Sequence, residues 1–316
     1  MSPALSRRRF VALTALSGVS LLAACTQSSP LDGGSTAAPA GTPAGSTTAA
    51  ATGTLVVGSQ AYYSNEIIAE IYAQALEDAG YTVDRQFQIG QREVYIPELE
   101  SGKLDILPEY GGNLLQYYDA QAEVTDTASI VAALGKALPA NLRVLTPADA
   151  SDQDSYTVTR DFADEHQLTS IEDLAGIAGL RIAANSEFQK RPYGPEGVKA
   201  IYGVDVTLVS VEDSGGPLTL GALKDGTVQI ADLYTADPAI ATNDLVVLED
   251  PKSMILPQNV LPLVSNRVDA AAEAVLDAVN AKLTSSELQA LNAQSVGEQL
   301  RPDQIASEWL AAQGLV

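Results

Sequence analysis

The chain has 316 residues and a formal net charge of −22, with 40 acidic residues against 18 basic ones. Such an acidic surface repels nucleic acid and anionic lipid head groups, which argues against the nucleic-acid-binding classes of function. The single cysteine allows no disulfide within the chain, so a packed core must supply the stability.

The first 24 residues have the organisation of an export signal. Three arginines, residues 7–9, precede an apolar run over residues 10–24 that is too short to span a bilayer. The run ends in small residues, and the tetrapeptide LAAC that closes on Cys25 resembles the lipobox of bacterial lipoproteins. This resemblance implies cleavage before Cys25, acylation of its thiol and anchoring on the outer face of the cell membrane. The arginines also resemble a twin-arginine signal, so either export route stays open.

A tether follows the acylated cysteine. Residues 26–53 consist almost wholly of Ala, Gly, Ser, Thr and Pro, a composition that cannot bury a core. We therefore expect residues 25–53 to form a lipidated, flexible linker, and the folded part to begin at residue 54.

From residue 54 short apolar strands alternate with amphipathic helices, a pattern typical of α/β folds with largely parallel sheets. The predicted strands are residues 54–58, 82–89, 104–107, 156–160, 181–184, 206–211, 228–234 and 245–248. The predicted helices are residues 66–79, 94–100, 195–202, 218–224, 270–283, 286–294 and 302–312. Two such series predict a bilobal clamshell. Lobe 1 would begin with residues 54–155, lobe 2 would contain residues 156–256, and residues 257–316 would return to complete lobe 1.

Tyrosines lie where a ligand of such a fold would bind. Ligands of open α/β sheets bind beyond the carboxyl ends of strands, and those ends meet in the cleft between two facing lobes. Tyr110 and Tyr234 lie at the ends of predicted strands, and Tyr156 lies at the first crossing between the lobes. The faces of several tyrosines can bind a quaternary ammonium group by cation–π attraction. The alternative is that these tyrosines are half-buried residues without a ligand.

Several short segments together resemble ABC-transporter substrate-binding proteins of the glycine betaine/choline/carnitine (OpuAC-type, osmoprotectant) family. The segments are GSQ (58–60), EIIAE (66–70), GKLDILPEYG (102–111), SEFQKR (186–191), DLYTAD (232–237), PQN (257–259) and PLV (262–264). The resemblance implies a type II periplasmic-binding-protein clamshell outside the cytoplasm. It also implies that the protein delivers its ligand to a membrane permease driven by a partner ATPase.

The resemblance also implies roles for individual residues. It maps a tyrosine cage onto Tyr110, Tyr156 and Tyr234, and a ligand-carboxylate-binding arginine onto Arg191, whose fork can hold a carboxylate bidentately. The chain departs from the family pattern at amides that we also expect to line the site: Gln60, Asn113, Gln258 and Asn259. These departures favour a more polar zwitterion, or a cation without a carboxylate. Three further tyrosines are candidates for a missing aromatic face: Tyr62, Tyr63 and Tyr193.

Other classes of function find little support in the sequence. The only histidine, His166, lies in a polar segment without a sequence partner, and there is no nucleophile elbow or phosphate loop. One histidine, no thiol besides Cys25 and no Asp-rich calcium loop argue against a metal site. We therefore expect no catalytic residue, cofactor or metal. A lipid-anchored sensor of another polar zwitterion or amino-acid-like ligand, acting without transport, is the alternative.

Overall fold

The computed structural model describes residues 53–316, so the predicted signal, Cys25 and nearly all of the tether lie outside the described residues. Two five-stranded sheets, each covered by helices on both faces, organise this part of the chain. We call each sheet with its helices a lobe. The strands of the first sheet are β1 (Thr54–Gly58), β2 (Thr82–Gln86), β3 (Ile106–Tyr110), β4 (Leu142–Val144) and β10 (Val260–Ser265). Those of the second are β5 (Asp154–Thr159), β6 (Leu180–Ala184), β7 (Val206–Ser210), β8 (Ile230–Tyr234) and β9 (Leu245–Val247).

The two sheets share one plan. Their strand orders are β2-β1-β3-β10-β4 and β7-β6-β8-β5-β9. In each, the first three strands are parallel and the fourth is antiparallel to both of its neighbours. The antiparallel strand is also the one by which the chain enters lobe 2, as β5, or returns to lobe 1, as β10. The carboxyl ends of β3 and β8 therefore lie beside the starts of β10 and β5, where the chain has just crossed between the lobes.

Strand β10 was not predicted as a strand, because prolines normally mark turns or sheet edges. Pro262 in β10 lies directly opposite Pro108 in β3. The carbonyl of Pro108 accepts a hydrogen bond from Asn65, and that of Pro262 accepts one from Leu145, so both point away from the β3–β10 seam. The two prolines thus occupy a pair that needs no hydrogen bond between its strands.

The helices are α1 (Tyr63–Asp78), α2 (Arg92–Glu100), α3 (Gly111–Tyr118), α4 (Thr127–Ala137), α5 (Arg160–His166), α6 (Pro195–Tyr202), α7 (Pro217–Lys224), α8 (Ala239–Thr242), α9 (Ala270–Asn280), α10 (Ser285–Glu298) and α11 (Pro302–Gln313). Helix α1 packs against α9, α10 and α11, so the C-terminal helices complete lobe 1. It begins three residues before the predicted start at residue 66, because Ser64 and Asn65 are buried parts of its first turn.

Within residues 53–316 no helix combines the length and the apolar character needed to cross a bilayer.

Candidate functional site

A cavity lies between the two lobes. Lobe 1 contributes one wall, the lobe-1 wall, which consists of Gln60, Tyr62, Gln91, Arg92, Tyr110 and Asn113. Lobe 2 contributes the lobe-2 wall, which consists of Asp154, Asn185, Glu187, Phe188, Arg191, Tyr193, Asp232 and Tyr234. Asp152, in the crossing between the sheets, joins the two walls. A ligand in this cavity would touch both lobes at once.

The loop after β1 is held open toward the cavity by Asn65 in the first turn of α1. The Asn65 side chain accepts a hydrogen bond from the Gln60 backbone N–H at 2.9 Å and donates one to the Pro108 carbonyl at 2.9 Å. It thereby ties the β1 loop to the end of β3. The Gln60 side chain is 9% exposed, and its Nε2 has no hydrogen-bond partner within the described chain.

A buried ion pair organises the end of β3. The Glu109 carboxylate is bonded bidentately by the Arg92 guanidinium, with both N–O distances 2.8 Å. It also accepts hydrogen bonds from the Tyr95 hydroxyl at 2.6 Å and from the Tyr110 backbone N–H at 2.9 Å. Glu109 is fully buried and Arg92 is 5% exposed, so this network fixes the backbone that presents Tyr110 to the cavity.

Aromatic rings reach the cavity from both lobes. Tyr62 and Tyr110 belong to the lobe-1 wall, and Tyr193 and Tyr234 belong to the lobe-2 wall. Tyr62 and Tyr234 meet edge-on across the lobes with ring centroids 4.6 Å apart. Burial raises the pKa of all four hydroxyls well above the ordinary tyrosine value. The rings therefore remain neutral and offer polarised faces at physiological pH.

Carboxyl groups concentrate at the crossing and in the lobe-2 wall. Burial raises the pKa of Asp152 to about 7, although Asp152 accepts hydrogen bonds from the Ala236 backbone N–H at 2.8 Å and the Tyr62 hydroxyl at 3.1 Å. Burial, and next the neighbouring carboxylate of Asp154, raise the pKa of Asp232 well above its ordinary value. Asp154 and Asp232 project from the same face of adjacent strands β5 and β8, which explains their proximity.

Two side-chain contacts beside the cavity join residues of lobe 2 to the start of α2 in lobe 1. Arg191 bonds Glu93 of α2 through both terminal nitrogens, at 2.8 and 3.2 Å. Burial raises the pKa of Glu93, but the Arg191 guanidinium outweighs that effect, and the net pKa lies below its ordinary value. The Gln91 amide donates to the Ser214 hydroxyl of lobe 2 at 3.1 Å. These bonds hold the two lobes against each other.

Five of the eight side chains predicted to bind ligand line the cavity: Gln60, Tyr110, Asn113, Arg191 and Tyr234. Asn113 spans the lobes, because its Nδ2 donates to the Asp154 carboxylate at 2.6 Å. The role of each in binding stays a prediction. Arg191 was predicted as a carboxylate clamp, but in this structure its guanidinium is engaged by Glu93.

The other three predicted residues lie behind the cavity lining. Tyr156 is 1% exposed; its ring packs on Phe188 and its hydroxyl donates to the Tyr193 carbonyl at 2.7 Å. It lies two residue pairs further from the cavity edge of the sheet than Asp154, opposite Asp232, and Phe188 and Tyr193 lie against it. Tyr156 therefore lies behind the lining rather than in it, and its role in a cage stays a prediction.

The two amides after Pro257 are also absent from the lining. Gln258 is fully buried; its side chain accepts from the Asn113 backbone N–H at 3.0 Å and donates to the Asn113 side chain at 2.8 Å. Asn259 accepts from the Thr127 hydroxyl at 2.7 Å and donates to the Ala148 carbonyl at 3.0 Å. Both side chains bond lobe-1 residues instead of lining the cavity, and their role in binding stays a prediction. Gln258 orients a lining residue instead.

The cavity also contains residues that the strand-end rule did not single out. Asp152, Asp154 and Asp232 form its acidic side, and Arg92 and Gln91 lie at the start of α2. In the sequence, SDQD (151–154) reads as a polar loop, and its proximity to residue 232 depends on β5 pairing with β8 across 78 positions. Phe188 and Glu187 belong to the SEFQKR segment, which did mark this region.

Comparisons with known proteins agree on one family. The model of the substrate-binding domain of ABC-type glycine betaine transport systems matches residues 53–312. The glycine betaine-binding protein YehZ of Escherichia coli is 28% identical over 277 residues, which covers 82% of this chain and 90% of that protein. A glycine-betaine-binding protein of Pseudomonas aeruginosa is 27% identical, and covers 81% of this chain and 87% of its own length.

Solved structures show the same fold. A glycine betaine/carnitine/choline ABC transporter structure aligns with a TM-score of 0.65 at 22% identity, over 83% of this chain and 99% of that one. Apo YehZ from Escherichia coli aligns with a TM-score of 0.59 at 26% identity, over 84% of this chain and all of that one. The predicted α/β bilobal clamshell is therefore confirmed. With the family model covering most of the chain, the protein belongs to the substrate-binding proteins of ABC-type glycine betaine transport systems.

Proposed function

We propose that this chain captures a small molecule with a quaternary ammonium group, in the glycine betaine/choline/carnitine class, and delivers it to the permease of an ABC importer. The observation that carries the proposal is the convergence of tyrosine rings and carboxyl groups from both lobes on one cavity. Tyrosine faces attract an alkylated ammonium group, which has no N–H to satisfy, and nearby carboxylates add Coulomb attraction. The names of the relatives, which include a carnitine transport binding protein of Listeria monocytogenes, agree with this class.

The mechanism would be closure of the lobes around the ligand. A ligand stabilises the closed form only through contacts that it gains there, and the cavity offers contacts from both walls. The Arg191–Glu93 and Gln91–Ser214 bonds would add to the closed state once the lobes meet. The closed form would dock on the permease, and a partner ATPase would hydrolyse ATP. We assign no catalytic step to this chain.

The proposal extends to the N-terminus. Export, cleavage before Cys25 and acylation of its thiol would tether the clamshell to the outer face of the membrane near the permease. Labelled palmitate should enter the wild-type protein in a bacterial host, and the Cys25→Ala variant should remain unlabelled. Equal labelling of both proteins would contradict the anchor.

A ligand screen tests the central proposal. Glycine betaine, carnitine, choline, proline betaine and ergothioneine are titrated into the purified full-length protein and the melting temperature is recorded. At least one should raise it, since binding to the native state stabilises by mass action. The cage proposal fails if none does.

A tyrosine substitution then locates the binding. Tyr234→Ala should weaken the best ligand by about 1–2 kcal/mol, the scale of a desolvated cation–π contact. Tyr118→Ala is the matched control, because Tyr118 bonds Glu100 on the surface and does not line the cavity. Equal affinities of the two variants would remove Tyr234 from the site.

A further inference from the structure

The basic side chains of the cavity are held in ion pairs, whereas its acidic side chains are not. Both cavity arginines already hold a carboxylate bidentately, Arg92 with Glu109 and Arg191 with Glu93. The acidic lining residues are Asp152, Asp154, Glu187 and Asp232. Among residues 53–316, none of these four has a basic nitrogen within 4.0 Å. The acidic side chains of the cavity therefore have no basic partner, whereas both of its arginines are already paired with carboxylates.

Three buried polar atoms of the cavity lining also lack partners within the described chain: Glu187 Oε2, Asp232 Oδ1 and Gln60 Nε2. Asp232 is 6% exposed and its Oδ1 makes no hydrogen bond within the described chain. Gln60 is 9% exposed, and its Nε2 is likewise unbonded there. Leaving a buried donor or acceptor unpaired costs free energy that a ligand can recover. Asp232 Oδ1 is an acceptor on lobe 2 and Gln60 Nε2 is a donor on lobe 1, so one ligand group with both capacities could satisfy these two atoms together.

A hydroxyl group has that double capacity, whereas a carboxylate has only acceptors. A ligand carboxylate placed here would face four carboxyl groups that have no basic partner, and each of them that is ionised would repel it. To reach Arg191 it would have to displace Glu93 and so break a bond between the lobes. A net cation has neither difficulty, because its charge is opposite to that of the lining.

We propose that this site selects a net-cationic amino alcohol with an alkylated nitrogen over a net-neutral betaine. Its ammonium group lies among the tyrosine rings and the carboxyl pair, and its hydroxyl donates to Asp232 and accepts from Gln60. This inference rests on the proposed function, since it names the ligand class of the same cavity. It places the determinant of selectivity in Asp232 and Gln60 rather than in Arg191.

Titration calorimetry on the purified full-length protein tests it with four probes: choline, N,N-dimethylethanolamine, tetramethylammonium and glycine betaine. Choline and betaine share the trimethylammonium head and differ in a hydroxymethyl against a carboxylate. Choline should bind at least about tenfold more tightly than betaine, as expected for a lost hydrogen bond plus repulsion. Tetramethylammonium, which has the charge but no hydroxyl, should bind more weakly than choline. Dimethylethanolamine, a cation with the hydroxyl and one N–H, should bind more tightly than betaine.

Variants assign the effect to residues. Asp232→Asn should reduce the preference for choline over betaine by about tenfold, because it removes one member of the carboxyl pair and adds amide N–H donors that a ligand carboxylate can use. Asp244→Asn is the matched control, since Asp244 is exposed and lies away from the cavity. If Asp232→Asn does not fold, Gln60→Leu tests the other half of the hydroxyl site, and the wild-type choline-to-betaine ratio decides without any variant.

Different outcomes would overturn the selectivity inference and the proposed function. Betaine binding as tightly as choline, or more tightly, overturns the selectivity inference and leaves the proposed function standing. An unchanged ratio in Asp232→Asn overturns the assignment of selectivity to Asp232. Absence of binding by all four probes and by carnitine overturns the proposed function together with the inference.

Discussion

The two walls of the cavity differ in how their charged side chains are paired. In the lobe-1 wall the Arg92 guanidinium and the Glu109 carboxylate satisfy each other, with Tyr95 and the backbone of Tyr110 completing the network. In the lobe-2 wall Asp154 and Asp232 lie side by side, and an oxygen of Asp232 has no partner within the described chain. A closed network can only position neighbouring groups, whereas an unpaired carboxyl can bind a ligand. The difference indicates that lobe 1 supplies shape and lobe 2 supplies charge.

Breaking the lobe-1 network should have the largest effect. Arg92→Leu leaves the Glu109 charge buried without its partner, and should lower the free energy of unfolding by about 3–5 kcal/mol. Urea unfolding measures it. Arg301→Leu is the control, because the Arg301–Asp303 pair is exposed and should not affect the midpoint measurably. Similar midpoints for the two variants would mean that the lobe-1 network is not a structural unit.

The acidic residue between the walls should make stability depend on pH. Asp152 has a pKa of about 7 in the folded protein against an ordinary value of 3.8, chiefly because of burial. Between these values the folded state keeps a proton that the unfolded state releases. The free energy of unfolding of the ligand-free protein should therefore fall as pH rises from about 4 to 7, by up to about 4 kcal/mol.

Asp152→Asn removes the titrating group and keeps the shape. The pH dependence of its unfolding free energy should be flatter than that of the wild type over the same range. Asp225→Asn, at an exposed turn, is the control and should keep the wild-type slope. A slope in Asp152→Asn equal to that of the wild type would assign the raised pKa to another group.

The lobe-2 wall depends on one tight turn. A Cβ at Gly194 would come within 2.0 Å of the Phe188 carbonyl oxygen, so Gly194→Ala must move the segment that carries residues 188–193. We expect a loss of about 1–3 kcal/mol in stability, the usual cost of overpacking, together with weaker ligand binding. Gly221→Ala is the control, because a Cβ there meets nothing within 4 Å. Wild-type binding by Gly194→Ala would show that the turn does not set the wall.

The smallest effect separates two roles for Arg191. If it acts with Glu93 to hold the lobes together, Arg191→Leu and Glu93→Gln should weaken every ligand alike, by about 0.5–1 kcal/mol for a partly exposed pair. If it binds a ligand carboxylate, Arg191→Leu should weaken betaine and carnitine but leave choline unaffected. Titration of both variants with choline and betaine distinguishes the two.

The fold could be predicted from the sequence because strand and helix patterns depend on residues that are close together in the chain. Strand and helix periodicities in both lobes follow from patterns within a few residues. The prediction failed at β10, where Pro262 looks like a break until its partner Pro108 is known.

The site was predictable only where a strand end decides the geometry. Tyr110 and Tyr234 end β3 and β8 and do reach the cavity. Tyr156 lies near the start of β5, close to the crossing. Whether its ring reaches the cavity depends on the side chains packed over it, and Phe188 and Tyr193 lie far from it in sequence. The engagement of Arg191 by Glu93 joins residues 98 positions apart, and no local pattern contains it.

A crystal structure of the full-length protein with saturating choline would show where the ligand lies and which side chains contact it. We expect the choline nitrogen in the cavity between the lobes, within about 6 Å of the ring centroids of Tyr62, Tyr110 or Tyr234, as cation–π contact requires. We expect its hydroxyl on the Asp232 carboxyl. A choline nitrogen bound outside this cavity, with the tyrosine rings uncontacted, would contradict the account.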